Sequence, residues 1–189
     1  MNEAAAVLSV QFADHSDRPR FGCKGPGAES WLTAQACRVP TAPNSATVDG
    51  DGVLVARLAT SEFLVDAMEG GDGRVAAMRA GLADRPRPRQ VYPVLRQDQA
   101  MTISGTGLAG LLRQTCGVDF APLLELATAA DGPVVLTSMI GVGVVAWPRR
   151  RAGSLAVTLW CEPSYAHYFW NTLIEVGEGQ GHITRGGDR

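Results

Sequence analysis

The stretch that decides the fold is residues 25–32, GPGAESWL, together with a similar stretch 80 residues later, residues 105–112, GTGLAGLL. Each follows a β-rich run and opens a helix, because apolar residues recur after it at helical spacing. The glycines either allow close packing of helix against sheet or cradle a phosphate at the helix N-terminus. Neither copy has the third glycine of a dinucleotide fingerprint or the lysine and hydroxyl residue of a P-loop, so packing is favoured.

This repeat predicts the fold class. Strand–helix–strand units used twice indicate an α+β protein with two similar halves, each with helices packed on antiparallel sheet. We expect one compact unit over residues 1–189, with pseudo-repeated halves at 1–98 and 99–176. The glycine-rich tail, 177–189, is expected to be frayed.

Periodicity along the rest of the chain predicts alternating strands and helices. Predicted strands lie at 7–12, 53–58, 62–66, 91–96, 101–104, 134–139, 142–147 and 155–160. Predicted helices lie at 26–36, 73–82, 108–116, 121–129 and 163–176, the last of them stopped by Gly177. Residues 38–52 and 84–89 are expected to be loops, and the arginine run 149–151 is expected to form a turn.

Composition excludes several classes of protein. Of the 189 residues, 46% are hydrophobic and 19% charged, and the mean hydropathy is +0.01. These values are typical of a globular chain rather than a disordered one. With a net charge of −2 and a pI of about 5.9, the chain has no long-range attraction for nucleic acid.

The cysteines indicate a reducing compartment rather than a metal or disulfide framework. They are Cys23, Cys37, Cys116 and Cys161. No C-x-x-C pair or Cys/His cluster with zinc spacing occurs, so they are interpreted as small buried hydrophobes. The start of the chain lacks a basic signal-peptide region, and the longest apolar stretch, 133–147, is about fifteen residues and too short to span a bilayer. We therefore expect a cytoplasmic protein without a membrane partner.

Charged residues within the predicted elements offer few candidate sites. Lys24 is the only lysine and precedes the first glycine turn, where it either binds an anion or is solvated. Arg57 and Glu62 flank a short hairpin and could form a partly buried ion pair. Arg96 and Asp98 end a strand, where they could anchor a turn or face a partner.

The last helix and the arginine run supply possible contact surfaces. On that helix His167 and Asn171 lie opposite the apolar stripe, so they are expected to face solvent or a partner chain. Arg149 and Arg150 are expected in an exposed turn that is either solvated or docks an acidic partner. No Ser/His/Asp or Cys/His arrangement can be assembled, so no catalytic residue is predicted.

Six runs, in their order and spacing, give the sequence a family resemblance. They are RFGCKGPGAESWL (20–32), LVARLATSEFLV (54–65), VYPVLRQD (91–98), SGTGLAGLLRQTCGVDF (104–120), VVLTSMIGVGV (134–144) and LWCEPSYAHYFWNTL (159–173). Over residues 20–176 the chain resembles the gamma subunit of heterotetrameric sarcosine oxidase. That family is similar in fold to the folate-binding domains of aminomethyltransferases, such as the T-protein of the glycine cleavage system.

The resemblance implies membership of a complex that oxidises sarcosine to glycine. Such a complex uses FAD, FMN, NAD and tetrahydrofolate, reduces oxygen to peroxide and passes the one-carbon unit to tetrahydrofolate. In the family the beta subunit carries the flavin chemistry, the alpha subunit binds NAD and folate, and the gamma subunit has no assigned catalytic residue. It implies that this chain binds no cofactor itself and has alpha, beta and delta-like subunits as partners.

Three hypotheses follow. The first is a non-catalytic assembly subunit of a sarcosine oxidase, which in isolation could self-associate through its partner surface. The second is a stand-alone tetrahydrofolate-binding or aminomethyltransferase-like protein, which needs a pterin-sized pocket with a carboxylate. For that pocket Lys24, Glu62 and Asp98 are the weak cofactor-binding candidates. The third is a binding module unrelated to sarcosine, since fold does not fix function.

Overall fold

The computed structural model describes residues 8–84, 86–151, 154–179 and 181–187. The strands are β1 (Ser9–Asp14), β2 (Arg20–Lys24), β3 (Ser45–Val48), β4 (Val53–Ala59), β5 (Glu62–Ala67), β6 (Tyr92–Val94), β7 (Gln99–Ser104), β8 (Asp131–Pro133), β9 (Val135–Met139), β10 (Val142–Arg151), β11 (Ser154–Cys161) and β12 (His182–Gly187). The helices are α1 (Ala28–Ala34), α2 (Asp72–Ala83), α3 (Leu108–Thr115), α4 (Ala121–Leu126) and α5 (Ala166–Glu178), the last preceded by a 3₁₀ turn at Pro163–Tyr165. None of these helices is long and apolar enough to cross a membrane.

Two six-stranded sheets stack between outer helices. The first sheet has the order β12-β1-β7-β11-β10-β9, and the second has the order β6-β2-β5-β4-β3-β8. All pairs are antiparallel except β1 with β12. The α+β class and antiparallel sheets are therefore confirmed.

Alternation along the strands explains the layers. In β4, Val53 and Val55 pack with α1 and α2, whereas Leu54 and Ala56 face the core between the sheets. Because β4 is buried on both faces, it is an unbroken apolar run apart from one arginine. Helices α3, α4 and α5 cover the outer face of the first sheet in the same way.

The repeated glycine turns have nearly the same geometry. Gly25 and Gly105 have φ of 115° and 109°, values that glycine tolerates and other residues do not. The amide of the second glycine in each copy donates to a distant backbone carbonyl, that of Gln90 before β6 (3.1 Å) or that of Ser9 in β1 (2.9 Å). A Cβ on Gly25 would lie 2.4 Å from the Gln90 oxygen, and one on Gly105 would lie 2.3 Å from the Ser9 oxygen. The glycines thus permit close approach of backbone to backbone.

The halves exchange strands. The order β2-β5-β4-β3 in the second sheet matches β7-β11-β10-β9 in the first. Strand β1 of the first half pairs with β7 in the first sheet, and β8 of the second half pairs with β3 in the second sheet. Each half therefore adds a strand to the sheet of the other. A single boundary along the sequence does not separate the two sheets.

The tail differs from expectation. It was expected to fray from residue 177, but α5 continues to Glu178 and β12 pairs in parallel with β1. Gly177 does not stop the helix: a Cβ there would meet Phe12 at 3.3 Å and Ile183 at 3.2 Å. Because Gly177 has no side chain, α5 can pack closely against the first sheet.

The arginine run 149–151 was also predicted wrongly. It is the end of β10, paired with β11 as far as Arg151 opposite Ser154. In the 38–52 segment, expected to be a loop, β3 pairs with both β4 and β8. Both errors concern polar segments whose backbone hydrogen bonds come from distant strands.

Candidate functional site

One guanidinium connects the two carboxylates proposed as ligand-binding candidates. Arg96 Nη2 lies 3.2 Å from Glu62 Oε1, and its Nη1 lies 4.0 Å from Asp98 Oδ2. Lys24 pairs in register with Glu62 across β2 and β5, and its side chain is exposed. The structure therefore brings these candidates to one region, with both carboxylates facing Arg96.

A buried polar network continues inward from Asp98. Arg20 is 3% exposed and Asp66 is 1% exposed, and Arg20 Nε lies 3.4 Å from Asp66 Oδ1. Trp160 Nε1 donates to Asp66 Oδ2 at 2.5 Å. Arg20 also donates to the backbone carbonyls of His15 and Asp98. We call Arg20, Asp66 and Trp160 the cross-sheet network, because Trp160 belongs to the first sheet and the other two belong to the second.

Burial raises the pKa of two carboxyl groups in this region. It raises the pKa of Asp66, an effect opposed by Arg20 and by the Trp160 hydrogen bond. Burial also raises the pKa of Asp98 against the opposing charges of Arg96 and Arg20. Each arginine reduces a desolvation cost without cancelling it, as expected for carboxylates in an apolar interior.

Beside the network lies a groove of about 380 Å³ between α2 and the segment that follows β6. Its floor is apolar, with Phe21, Leu82 and Val94. Arg79 and Arg87 stand on its rim and are exposed. Such a groove can bind an anionic group that also has an apolar part.

The groove does not fit a pterin. A pterin needs a carboxylate that faces open space and accepts hydrogen bonds from its amino and ring nitrogens. Glu62 and Asp98 do not line the groove. Both are directed to Arg96, and Asp98 Oδ2 is buried. We therefore assign no folate-binding role to this region.

The expected Arg57–Glu62 ion pair does not form. Arg57 Nη2 lies 3.0 Å from Glu29 Oε2 of α1, and its guanidinium lies 5.3 Å from the centre of the Phe63 ring. Register places Phe63, not Glu62, opposite Arg57, and a bulge follows before Ala59 meets Glu62. Glu62 pairs with Arg96 instead.

The structure also places the proposed interface residues. His167 and Asn171 are exposed, as expected, and are joined by a 3.0 Å hydrogen bond. Arg150 is exposed as well. Arg149 is instead half-buried, with its guanidinium 5.1 Å from the centre of the Trp147 ring. Whether these residues touch another chain stays a prediction.

The other reactive groups among the described residues form no metal site and no reactive thiol. Within the described ranges no group of three or more His, Cys, Asp or Glu side chains could hold a metal. All four cysteines are free and buried. Burial raises the pKa of Cys23 to about 12 and those of Cys37 and Cys161 to about 11, which makes poor nucleophiles.

Sequence reasoning missed the cross-sheet network. Arg20 opens the run RFGC and Asp66 sits in FLVDA, so each is a charge at the edge of an apolar strand. Such a charge must be paired if its strand is buried. That signal was present, but only the β2–β5 register identifies the two as partners.

Comparison with solved structures shows the fold. A chain of the heterotetrameric sarcosine oxidase from Corynebacterium sp. U-96, in complex with pyrrole 2-carboxylate, superimposes with a TM-score of 0.69 at 21% identity. The match covers 90% of this chain and 84% of that one. The glycine cleavage system aminomethyltransferase T from Bartonella henselae gives 0.64 at 15% identity, covering 93% of this chain and 47% of that one. The chain has the fold shared by these proteins.

The sequence comparisons add nothing to this result. No protein-family model matches the chain, and no curated protein matches it. The predicted aminomethyltransferase-like fold is thus confirmed by structure alone.

Proposed function

We propose that this chain is a non-catalytic, gamma-like subunit of a sarcosine oxidase complex. The observation that carries the proposal is the match to a chain of a heterotetrameric sarcosine oxidase, which extends over most of both chains. An aminomethyltransferase, in contrast, has about twice the matched length. The match that extends over most of both chains is therefore the one on which the proposal rests.

The site chemistry supports this assignment. The carboxylates Glu62, Asp66 and Asp98 are engaged by arginines or an indole, and the three cysteines with a raised pKa are poor nucleophiles at neutral pH. Asp66 links the two sheets through Trp160, and none of these groups lines any of the four described grooves. We propose that reaction chemistry lies on other chains of the complex.

The proposed complex defines the partners and cofactors. The partners are alpha, beta and delta-like subunits, and the complex is cytoplasmic. It uses FAD, FMN, NAD and tetrahydrofolate, none of them bound by this chain alone. It oxidatively demethylates sarcosine to glycine with formation of peroxide and 5,10-methylenetetrahydrofolate.

Gene deletion with complementation tests the proposal. Deleting the gene should abolish sarcosine-dependent peroxide release in cell extracts, and the wild-type gene should restore it. The Lys24→Ala variant should restore it equally, because Lys24 is exposed and the proposal gives it no catalytic role. Unchanged peroxide release in the deletion strain would overturn the proposal.

The second candidate is a tetrahydrofolate-binding protein that acts alone. It is favoured by the shared fold with aminomethyltransferase T. Calorimetric titration of the purified chain with tetrahydrofolate distinguishes the two. Saturable binding would support this candidate, and its absence would eliminate it.

A further inference from the structure

We propose that the chain binds a phosphate or phosphoryl group at a second groove, which we call the inter-sheet mouth and define by Arg18, Asp49, Glu69, Arg149 and Arg151. It has a volume of about 230 Å³. Its walls come from the β1–β2 connection, the β3–β4 turn, the end of β5 and the end of β10. The ligand class follows from the way these charges are arranged.

Strand alternation directs two arginines into the mouth. Val145 and Trp147 of β10 face the core between the sheets. Arg149 and Arg151 continue that face of β10 beyond the core and line the mouth. Arg150 lies on the opposite face, in a different cavity beside α3 and α4. The face of β10 that is apolar between the sheets therefore becomes basic where it leaves the core.

Among the described residues, no acid forms an ion pair with Arg149. Its Nε is buried and has no hydrogen-bond partner, and among the described residues its one recorded contact is the stack on Trp147. Burial, together with the neighbouring charges of Arg151 and Arg18, lowers its pKa to about 10. Like charges converge here at a cost that a dianion would relieve.

The acids of the mouth do not neutralise it. Asp49 Oδ2 is already bound by Arg74 at 2.7 Å, and Asp49 Oδ1 accepts from the amides of Asp51 and Val53. Glu69 is exposed and opposes an anion. The guanidinium groups of Arg149 and Arg151 therefore face one exposed carboxylate, that of Glu69.

The size of the mouth defines the ligand further. A volume of about 230 Å³ is below the range of about 300–1,000 Å³ usual for drug-sized ligands. It accommodates a phosphate group, and a nucleoside attached to it would extend into solvent. Arginine is well suited to this ligand because its planar donors match phosphate oxygens.

Calorimetry on the full chain tests the site, in a buffer free of other oxyanions. Sodium phosphate should give saturable binding of one ion per chain, with sodium chloride of equal ionic strength as the blank. Arg151→Gln should weaken binding about tenfold, since one bidentate contact is lost. Arg149→Gln should do the same, and Arg150→Gln is the matched control that should leave affinity unchanged. Glu69→Gln should tighten binding, because it removes the opposing charge.

Further arms identify the source of the phosphate. Tighter binding of ADP than of phosphate would indicate a phosphoryl group on a larger metabolite, and exclusion of ADP would indicate the free ion; both support the site. Arg151 is exposed, so its variant should fold even if Arg149→Gln does not. Equal losses in Arg150→Gln and Arg151→Gln would overturn the proposal. Binding of a polyglutamate peptide, with no binding of phosphate, would also overturn the proposal.

Discussion

Trp160 of the first sheet donates a 2.5 Å hydrogen bond to Asp66 of the second. Arg20 approaches the other oxygen of the same carboxylate at 3.4 Å. One buried acid thus lies between an indole and a guanidinium, beside an apolar cluster between the sheets. This polar contact fixes how the two sheets face each other, whereas apolar contacts tolerate sliding.

Removing the indole donor should destabilise the protein. Trp160→Phe keeps an aromatic ring but deprives buried Asp66 of a hydrogen bond, at a cost of about 1.5–3 kcal/mol. Urea denaturation should show this as a lower midpoint with an unchanged slope. Trp31→Phe is the control, because the described contacts of Trp31 are ring packing on Phe21 and on the apolar cluster around it. Equal destabilisation by both variants would contradict the role given to the hydrogen bond.

Asp66 should give stability a specific pH dependence. Its pKa is raised in the folded state by burial, so the folded state holds the proton more tightly than the unfolded state does. The resulting stabilisation is full below the unfolded pKa of about 3.9 and is lost as pH rises through the folded pKa. The stability advantage of wild type over Asp66→Asn should therefore shrink as pH rises from 4. Denaturation curves for both proteins at successive pH values measure it, and an advantage that grows with pH would mean that Arg20 outweighs burial.

The two repeat glycines should not tolerate alanine. Gly25→Ala and Gly105→Ala each combine a positive φ with a Cβ less than 3 Å from a carbonyl oxygen, so a loss of at least about 1–2 kcal/mol is expected. Gly81→Ala is the matched control in α2, where nothing lies within 4 Å of the added carbon. It should raise stability by about 0.5–1 kcal/mol through helix propensity. Thermal unfolding distinguishes these signs, and a neutral Gly105→Ala would show that the turn is not constrained.

The cysteines should resist alkylation in the folded protein. A thiol with a pKa of about 11, as for Cys37 and Cys161, has about a hundredfold less thiolate at pH 8 than one with a pKa of 9. Mass spectrometry after iodoacetamide treatment should find little modification in the native chain and four modified cysteines in urea. Rapid labelling of Cys161 in native protein at pH 8 would contradict its burial.

Local patterns predicted most elements but not their exchange between sheets. The hairpin of β4 and β5, the helices after both glycine turns and the α+β class follow from periodicity and turn chemistry. The pairing of β6 with β2 and of β1 with β7 could not be predicted, because short edge strands have weak patterns and their partners are set by tertiary packing.

Charged residues were the least predictable part of the site. The run 149–151 has the composition of a turn, yet it is part of β10 and its successive side chains lie on opposite faces of that strand. Arg149 stacks on Trp147. Arg57 was matched with the nearest acid along the chain, but a helix supplied Glu29 instead. Ion-pair partners depend on register and on helix placement, which sequence spacing alone does not determine.

We propose that this chain is a subunit of a flavin-containing sarcosine oxidase. The most direct measurement is the visible absorption spectrum of the material that co-purifies with the tagged chain from the organism that encodes it. The account predicts a flavin spectrum, larger chains in fixed proportion and peroxide release on addition of sarcosine. A colourless 20.0 kDa protein that elutes without larger chains would contradict it.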